Sequence, residues 1–121
     1  EAAESLIPMP LSLQRLSERG FNQAHELARH LDPSKADPHT LLRLDRSHHQ
    51  VGHSRTERQA NVLGSFWVDP QRLQHLRGKR VVLVDDVMTT GASLFEAART
   101  VRRAGAAHIT GLVFARTAPS A

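Results

Sequence analysis

A chain of 121 residues, 40% of them hydrophobic and 23% charged, has the size and composition of one small globular domain and excludes a disordered tail. Its lack of cysteine excludes disulfide frameworks, thiolate zinc sites and cysteine nucleophiles, and fits a reducing, cytoplasmic setting. Sixteen Lys and Arg against 12 Asp and Glu leave a net charge of +4, an excess that attracts phosphorylated ligands or nucleic acid. Only Lys35 and Lys79 are lysines, and arginine's planar fork of donors suits phosphate oxygens. No repeat or low-complexity stretch is present. The apolar runs are too short to span a bilayer, and no charged-then-apolar leader opens the chain. Glu1 in place of Met makes a trimmed piece of a longer protein the expectation.

In chain order, Leu6–Pro10 predicts a short strand that stops at its prolines. Leu11–Gly20 reads as a polar, Arg-bearing connection. Ala24, Leu27, Ala28 and Leu31 keep helical spacing behind Asn22, a good N-cap. Asp32–Thr40, with two prolines, is linker-like but too short to divide domains. Leu41–Leu44 and Ser65–Val68 predict the strands of a hairpin-like arm around a long polar loop. In that loop Ser54 and Glu57 form a capping box for a short helix over Arg55–Asn61. Val81–Val84 has the β-branched, continuous character of a strand buried on both faces. Asp85–Ala92 is predicted as a loop, and Ser93 opens a helix carrying Leu94, Ala97, Ala98 and Val101. Gly105 stands where a left-handed C-terminal residue belongs. Ile109–Phe114 is the last strand and Ala118–Ala121 a frayed tail. Strand, helix and strand make a βαβ unit, hence a parallel sheet with a right-handed crossover.

The chemistry concentrates in Val81–Ser93, VVLVDDVMTTGAS. A buried strand leads to two adjacent acids, Asp85 and Asp86, and then through Val87 and Met88 to the small-residue run Thr89, Thr90, Gly91, Ala92 and Ser93. Open α/β sheets bind ligands beyond the carboxyl ends of their strands. A helix N-terminus offers free N–H groups to a phosphate, Gly91 permits close backbone approach, and the hydroxyls add donors. The acids would repel phosphate, but they suit ribose hydroxyls or Mg²⁺ held through water. The stretch therefore reads as a sugar-phosphate cradle. Neither a P-loop nor a G-x-G-x-x-G fingerprint occurs.

VVLVDDVMTTGAS resembles the phosphoribosyl-pyrophosphate (PRPP) motif of type I phosphoribosyltransferases. Within that fold the chain is similar to the competence protein F / GntX family. The narrower resemblance rests on Ile7–Leu11, on Arg15 with Glu18–Ala24 (ERGFNQA), and on Gln50–Val62 (QVGHSRTERQANV). It covers residues 6–117. It implies one α/β domain over residues 1–121, the C-terminal part of a longer architecture, with a mainly parallel sheet flanked by helices and a flexible flap arm. The family's N-terminal cysteine-rich zinc module is missing from this sequence.

The resemblance also implies a ligand and a reaction: PRPP or a nucleotide 5′-phosphate with Mg²⁺, and transfer of phosphoribosyl to an acceptor with release of pyrophosphate. The phosphate would sit on Thr89–Ser93 and the ribose hydroxyls on Asp85 and Asp86, with no direct protein ligand to the metal beyond these acids and water. The loop around Gln50–Asn61 would be a flap closing over pyrophosphate. Arg58 and Arg55 would stabilise the leaving group, and Ser54 and Asn61 would donate hydrogen bonds. Met9, Pro10, Leu11 and Arg19 would contact pyrophosphate from the other side. Arg19, Arg58, Asp85 and Asp86 are thus the candidate catalytic residues. Thr89 stands where some purine-using relatives carry an acid, so no base is evident in the loop, and His53 replaces an apolar family residue.

The alternative function is a non-catalytic adaptor or PRPP sensor of the DNA-uptake machinery. Its candidate partners are a competence-machinery protein, single-stranded DNA and a second copy of the chain, with no membrane insertion. The basic stretch Arg43–Arg58 suits a nucleic-acid backbone, and Trp67 is the candidate stacking platform. Phe21, Phe66, Phe95 and Phe114 are expected mostly in the core. His48, His49 and His53 form the one cluster with metal-like spacing, but without Cys or H-E-x-x-H they read as flap histidines. His25 and His30 are expected on a solvated helix face, and Arg99, Arg102 and Arg103 on the outer face of the last helix.

Overall fold

A computed structural model describes residues 3–11, 13–44, 65–88 and 91–116. The apolar segment SLIP forms β1 (Ser5–Pro8), buried along its whole length. It lies parallel to β4 (Arg80–Met88), with Ser5 opposite Val81 and Pro8 opposite Val84. β4 is the centre of a three-stranded sheet, and β5 (His108–Arg116) runs parallel along its other side, from Arg80 opposite His108 to Met88 opposite Arg116. The outer edge of β1 is partly covered: the Leu6 amide donates to the Lys35 carbonyl and the Asp37 amide to the Leu6 carbonyl, both at 2.9 Å.

Helices pack on both faces, as a strand with apolar residues on both sides requires. On one face Val81, Leu83 and Ile7 pack with Ala97 and Val101 of α3 (Ala92–Arg103) in the main core. On the other, Val84 and Leu6 meet Ala28 of α2 (Gln23–Leu31). The expected cap of α2 is present, with the Asn22 side chain accepting from the Ala24 amide at 3.0 Å. Gly105 takes a positive φ of 114° just past α3.

The predicted arm is an antiparallel pair, β2 (Leu41–Arg43) and β3 (Phe66–Val68), and Leu41 and Phe66 reach into the main core. A polar network ties its root to the body. Asp37 accepts from the Thr40 hydroxyl, from the His39 amide at 3.0 Å and from Arg72 at 3.3 Å, while Arg72 Nε donates to Thr40 at 3.1 Å. Arg72 lies in a 3₁₀ segment, Pro70–His75, whose start is capped by Asp69. Burial opposes ionisation of Asp37, but the Thr40 and His39 hydrogen bonds and the Arg72 charge outweigh it and hold its carboxyl below the usual range.

Four expectations need correction. Leu11–Gly20 is no mere connection: Leu13–Arg19 forms a short helix, α1, closed by Gly20 at φ 80°. Its seven residues give too little periodicity to distinguish a helix from a polar loop. Asp85–Ala92 is not all loop, because β4 continues to Met88 on hydrogen bonds to β5. The last helix starts at Ala92 with Gly91 as its N-cap, so Ser93 lies one residue inside. Phe21, Phe95 and Phe114 are exposed large apolar side chains, and only Phe66 of the four phenylalanines is core. Trp67 is exposed, as its alternation predicts. The flap histidines His48, His49 and His53 and the helix expected over Arg55–Asn61 lie outside the described residues.

Leu83 is fully buried at the centre of the sheet. Leu83→Ala is expected to lower unfolding free energy by about 2–5 kcal/mol, read from urea denaturation. Asp37→Ala should cost about 1–3 kcal/mol, because it strips partners from Thr40 and Arg72. Since the folded pKa of Asp37 is depressed, its contribution is present above the unfolded value of 3.8 and is lost as pH falls through the folded one. The wild-type and Asp37→Ala melting curves should therefore converge in acid.

Candidate active site

The site begins where β1 leaves the sheet. The Met9 amide makes the last bond to β4, donating to the Val84 carbonyl at 2.8 Å, and Pro10 has no N–H to continue the ladder. From Asp85 onward β4 has its partner only in β5 among the described residues. The released edge opens a cleft of about 330 Å³ lined by Met9–Leu11, Arg19, Asn22, Gln23, Arg43, Asp85–Val87 and Ser93. Consecutive strand residues point to opposite faces. Asp85, Asp86 and Val87 all reach the cleft because it wraps the strand edge rather than one face.

Elements far apart in sequence meet here. Arg19 ends α1, and its Nη1 stands 4.0 Å from Asp86 Oδ2. Asn22 both caps α2 and donates to the Met9 carbonyl at 3.1 Å, which fixes the turn after β1 against the helix. Arg43 comes from β2, its guanidinium 5.2 Å from the centre of the Phe66 ring. Gly91 caps α3 with φ 84°, a conformation that costs other residues free energy. A Cβ there would also meet Met88 Sδ at 3.4 Å.

The electrostatics are those of two crowded acids. Burial is the largest influence on Asp85, and the adjacent Asp86 charge and carboxyl hydrogen bond add to it, so the Asp85 pKa is pushed up to about 6. Arg43 opposes this shift. Two half-buried carboxylates facing a polar cleft suit hydroxyl donors, or a hard cation that keeps most of its water. A cation would relieve the repulsion that raises Asp85, so the donor set fits Mg²⁺. Among the described residues no group of three or more His, Asp or Glu could hold a metal by itself.

Of the residues singled out from sequence, Met9, Pro10, Leu11, Arg19, Asp85, Asp86, Val87 and Ser93 share this cleft. Met88, Gly91 and Ala92 lie beside it, at the strand end and the start of α3. Thr89, Thr90, Gln50, Ser54, Arg55, Arg58 and Asn61 lie outside the described residues. Asn22, Gln23 and Arg43 are lining residues that sequence reasoning gave no role in the site. The first two sit in the ERGFNQA block, and Arg43 had no signal beyond its charge.

A parallel sheet with helices on both faces, a polar cleft at a strand's carboxyl end and a glycine-capped helix beside it make an open α/β domain whose cleft lies where that architecture binds ligands. Residues 16–120 match the family of the phosphoribosyl transferase domain, and the chain belongs to it. Its relatives include competence protein ComFC of Bacillus subtilis, 41% identical over 84% of this chain and 40% of that protein. Competence protein F of Haemophilus influenzae is 34% identical over 88% of this chain and 47% of that protein. The chain thus spans less than half the length of these relatives. The solved structure of the allosteric regulatory enzyme of purine biosynthesis shares the fold, with a TM-score of 0.59 over 94% of this chain and 22% of that one at 17% identity.

Replacing Asp86 with Asn should lower the Asp85 pKa from about 6 toward the ordinary 3.8 without reaching it, because burial remains. Carboxyl carbon NMR titration of the two proteins reads the shift. An unchanged pKa would mean that burial alone sets it.

Proposed function

We propose that the cleft binds the 5-phosphoribosyl group of PRPP, or of a nucleotide, with Mg²⁺, and that the domain transfers phosphoribosyl to an acceptor. The observation that carries this reading is the placement of Asp85 and Asp86 on a released strand edge, beside the Gly91-capped start of α3. The 5′-phosphate would take the backbone N–H groups after Gly91, where the helix dipole is positive. The ribose hydroxyls would donate to Asp85 and Asp86. Arg19 and the turn Met9–Leu11 face the same cleft and would meet the pyrophosphate.

In the transfer, the bond from C1′ to the pyrophosphate oxygen breaks and its electron pair leaves with pyrophosphate. The acceptor's lone pair forms the new bond to C1′. Mg²⁺ would supply charge neutralisation on the departing oxygens. The chain's own work is to hold the hydroxyls, orient C1′ and set Arg19 against the developing negative charge. An ionised Asp85 is needed for both the hydroxyls and the cation.

Relatives named competence protein and DNA utilization protein motivate a second reading, in which the domain is an adaptor or sensor of DNA uptake that keeps the cleft without turnover. Pyrophosphate release from PRPP in the presence of candidate acceptors separates the two, since a sensor binds but releases none.

Calorimetry of this chain with PRPP and Mg²⁺ should show saturable binding that Asp85→Asn abolishes. Affinity should rise with pH from 5 and level off above the Asp85 pKa of about 6, because binding must first displace that proton. If PRPP and nucleoside 5′-monophosphates both fail to bind with Mg²⁺, the reading is wrong.

A further inference from the structure

Met9 is held at three points. Its side chain is buried in the main core, its amide donates to the Val84 carbonyl at 2.8 Å, and its carbonyl accepts from Asn22 Nδ2 at 3.1 Å. The third hold comes from another element. Asn22 is the N-cap of α2, and its Oδ1 accepts from the Ala24 amide at 3.0 Å. The two bonds fix which way the side-chain amide points, since a flipped amide would set donor against donor at Ala24 and acceptor against acceptor at Met9. The cap needs only an acceptor, which serine or aspartate would supply as well. The amide adds a donor, and that donor goes to the turn after β1.

Beyond the turn lies α1, whose described side chains take no part in either core cluster, Leu16 being exposed. A short helix without a buried face takes its position from its ends. The start of α1 follows the turn that Asn22 holds. Its last residue, Arg19, is joined to Asn22 by Gly20 and Phe21 alone. Gly20, at φ 80°, closes α1 by donating to the Leu16 carbonyl at 2.7 Å. Asn22 therefore stands at the junction of the two groups that α1 brings to the cleft wall, the turn Met9–Leu11 and Arg19.

We propose that Asn22 is a positioning residue for the leaving group: by tying the Met9 carbonyl to the start of α2, it sets the turn and Arg19 at the spacing that pyrophosphate needs. The inference rests on the reading above, in which these two groups meet pyrophosphate. That reading gives the ribose and its 5′-phosphate to Asp85, Asp86 and the start of α3, none of which Asn22 holds. Losing the donation to Met9 frees the turn while β4 keeps its ladder to β5. Asn22 thus governs affinity for ligands that carry pyrophosphate and spares those that end at the ribose.

Calorimetry of this chain with Mg²⁺ should compare PRPP with ribose 5-phosphate, which lacks the pyrophosphate. The wild-type chain should bind PRPP the more tightly. Asn22→Ser and Asn22→Asp both keep an acceptor for the Ala24 amide, so both should melt close to the wild-type temperature. Each should bind PRPP about tenfold more weakly, the equivalent of about 1.4 kcal/mol, and ribose 5-phosphate within about twofold of wild type. The shorter serine gives up the reach to Met9 without adding charge, so it separates the lost donation from the repulsion that a carboxylate brings. If the wild-type chain binds PRPP no better than ribose 5-phosphate, the placement of pyrophosphate is wrong and the inference goes with it. If the preference for PRPP survives intact in Asn22→Ser, the inference alone is overturned. Equal weakening of both ligands also overturns it, since a merely structural role would move the two together.

Discussion

The site depends on a strand that ends early. β1 and β4 share their ladder only as far as Val84, and the prolines at positions 8 and 10 keep β1 from following further. Had the ladder continued, Asp85 and Asp86 would stand inside a sheet, where two adjacent carboxylates have no place. The departure of β1 instead gives them solvent, room and facing cations. The same departure sends the chain through Met9–Leu11, past the cleft and into α1, which returns Arg19 to Asp86. One interruption in a hydrogen-bonded ladder therefore makes the cavity and delivers much of its lining.

The charges lining the cleft are mixed rather than simply positive. Arg19 and Arg43 line the same cleft as Asp85 and Asp86, so it offers cations and hydrogen-bond acceptors side by side. The Arg19–Asp86 pair is long and partly exposed, so it contributes little to stability and is readily exchanged for a ligand. The raised Asp85 pKa has the opposite consequence. The free protein is more comfortable with Asp85 protonated, so its stability contribution is full below 3.8 and lost as pH rises to about 6. Above that range the site holds an unfavourable charge that a bound cation or hydroxyl would relieve.

The parts legible in the sequence were those with one strong local signal. Val81–Val84 could hardly be anything but a buried strand, Asn22 announced α2, and the order of acids, glycine and helix located the cleft. The missing parts were decided by neighbours. β4 runs on to Met88 because β5 supplies partners, and no local pattern in DDVM reports that. Arg43 reaches the site through hairpin register, which charge alone does not encode. Phe95 and Phe114 are apolar residues at helical and strand spacing, yet they are exposed because no described element covers the outer side of β5. A sequence pattern states which residues prefer burial but not whether a cover exists.

The hairpin root has one further consequence. The Leu44 amide donates to the Ser65 carbonyl at 2.7 Å, and the Asp37, Thr40 and Arg72 network clamps the base of the same arm. The chain therefore departs after Leu44 and re-enters before Ser65 at adjacent, fixed points, whatever lies between. The spacing of the two strand ends is thus set by the body of the domain, so that loosening Asp37, Thr40 or Arg72 would disturb the departing and the returning chain together.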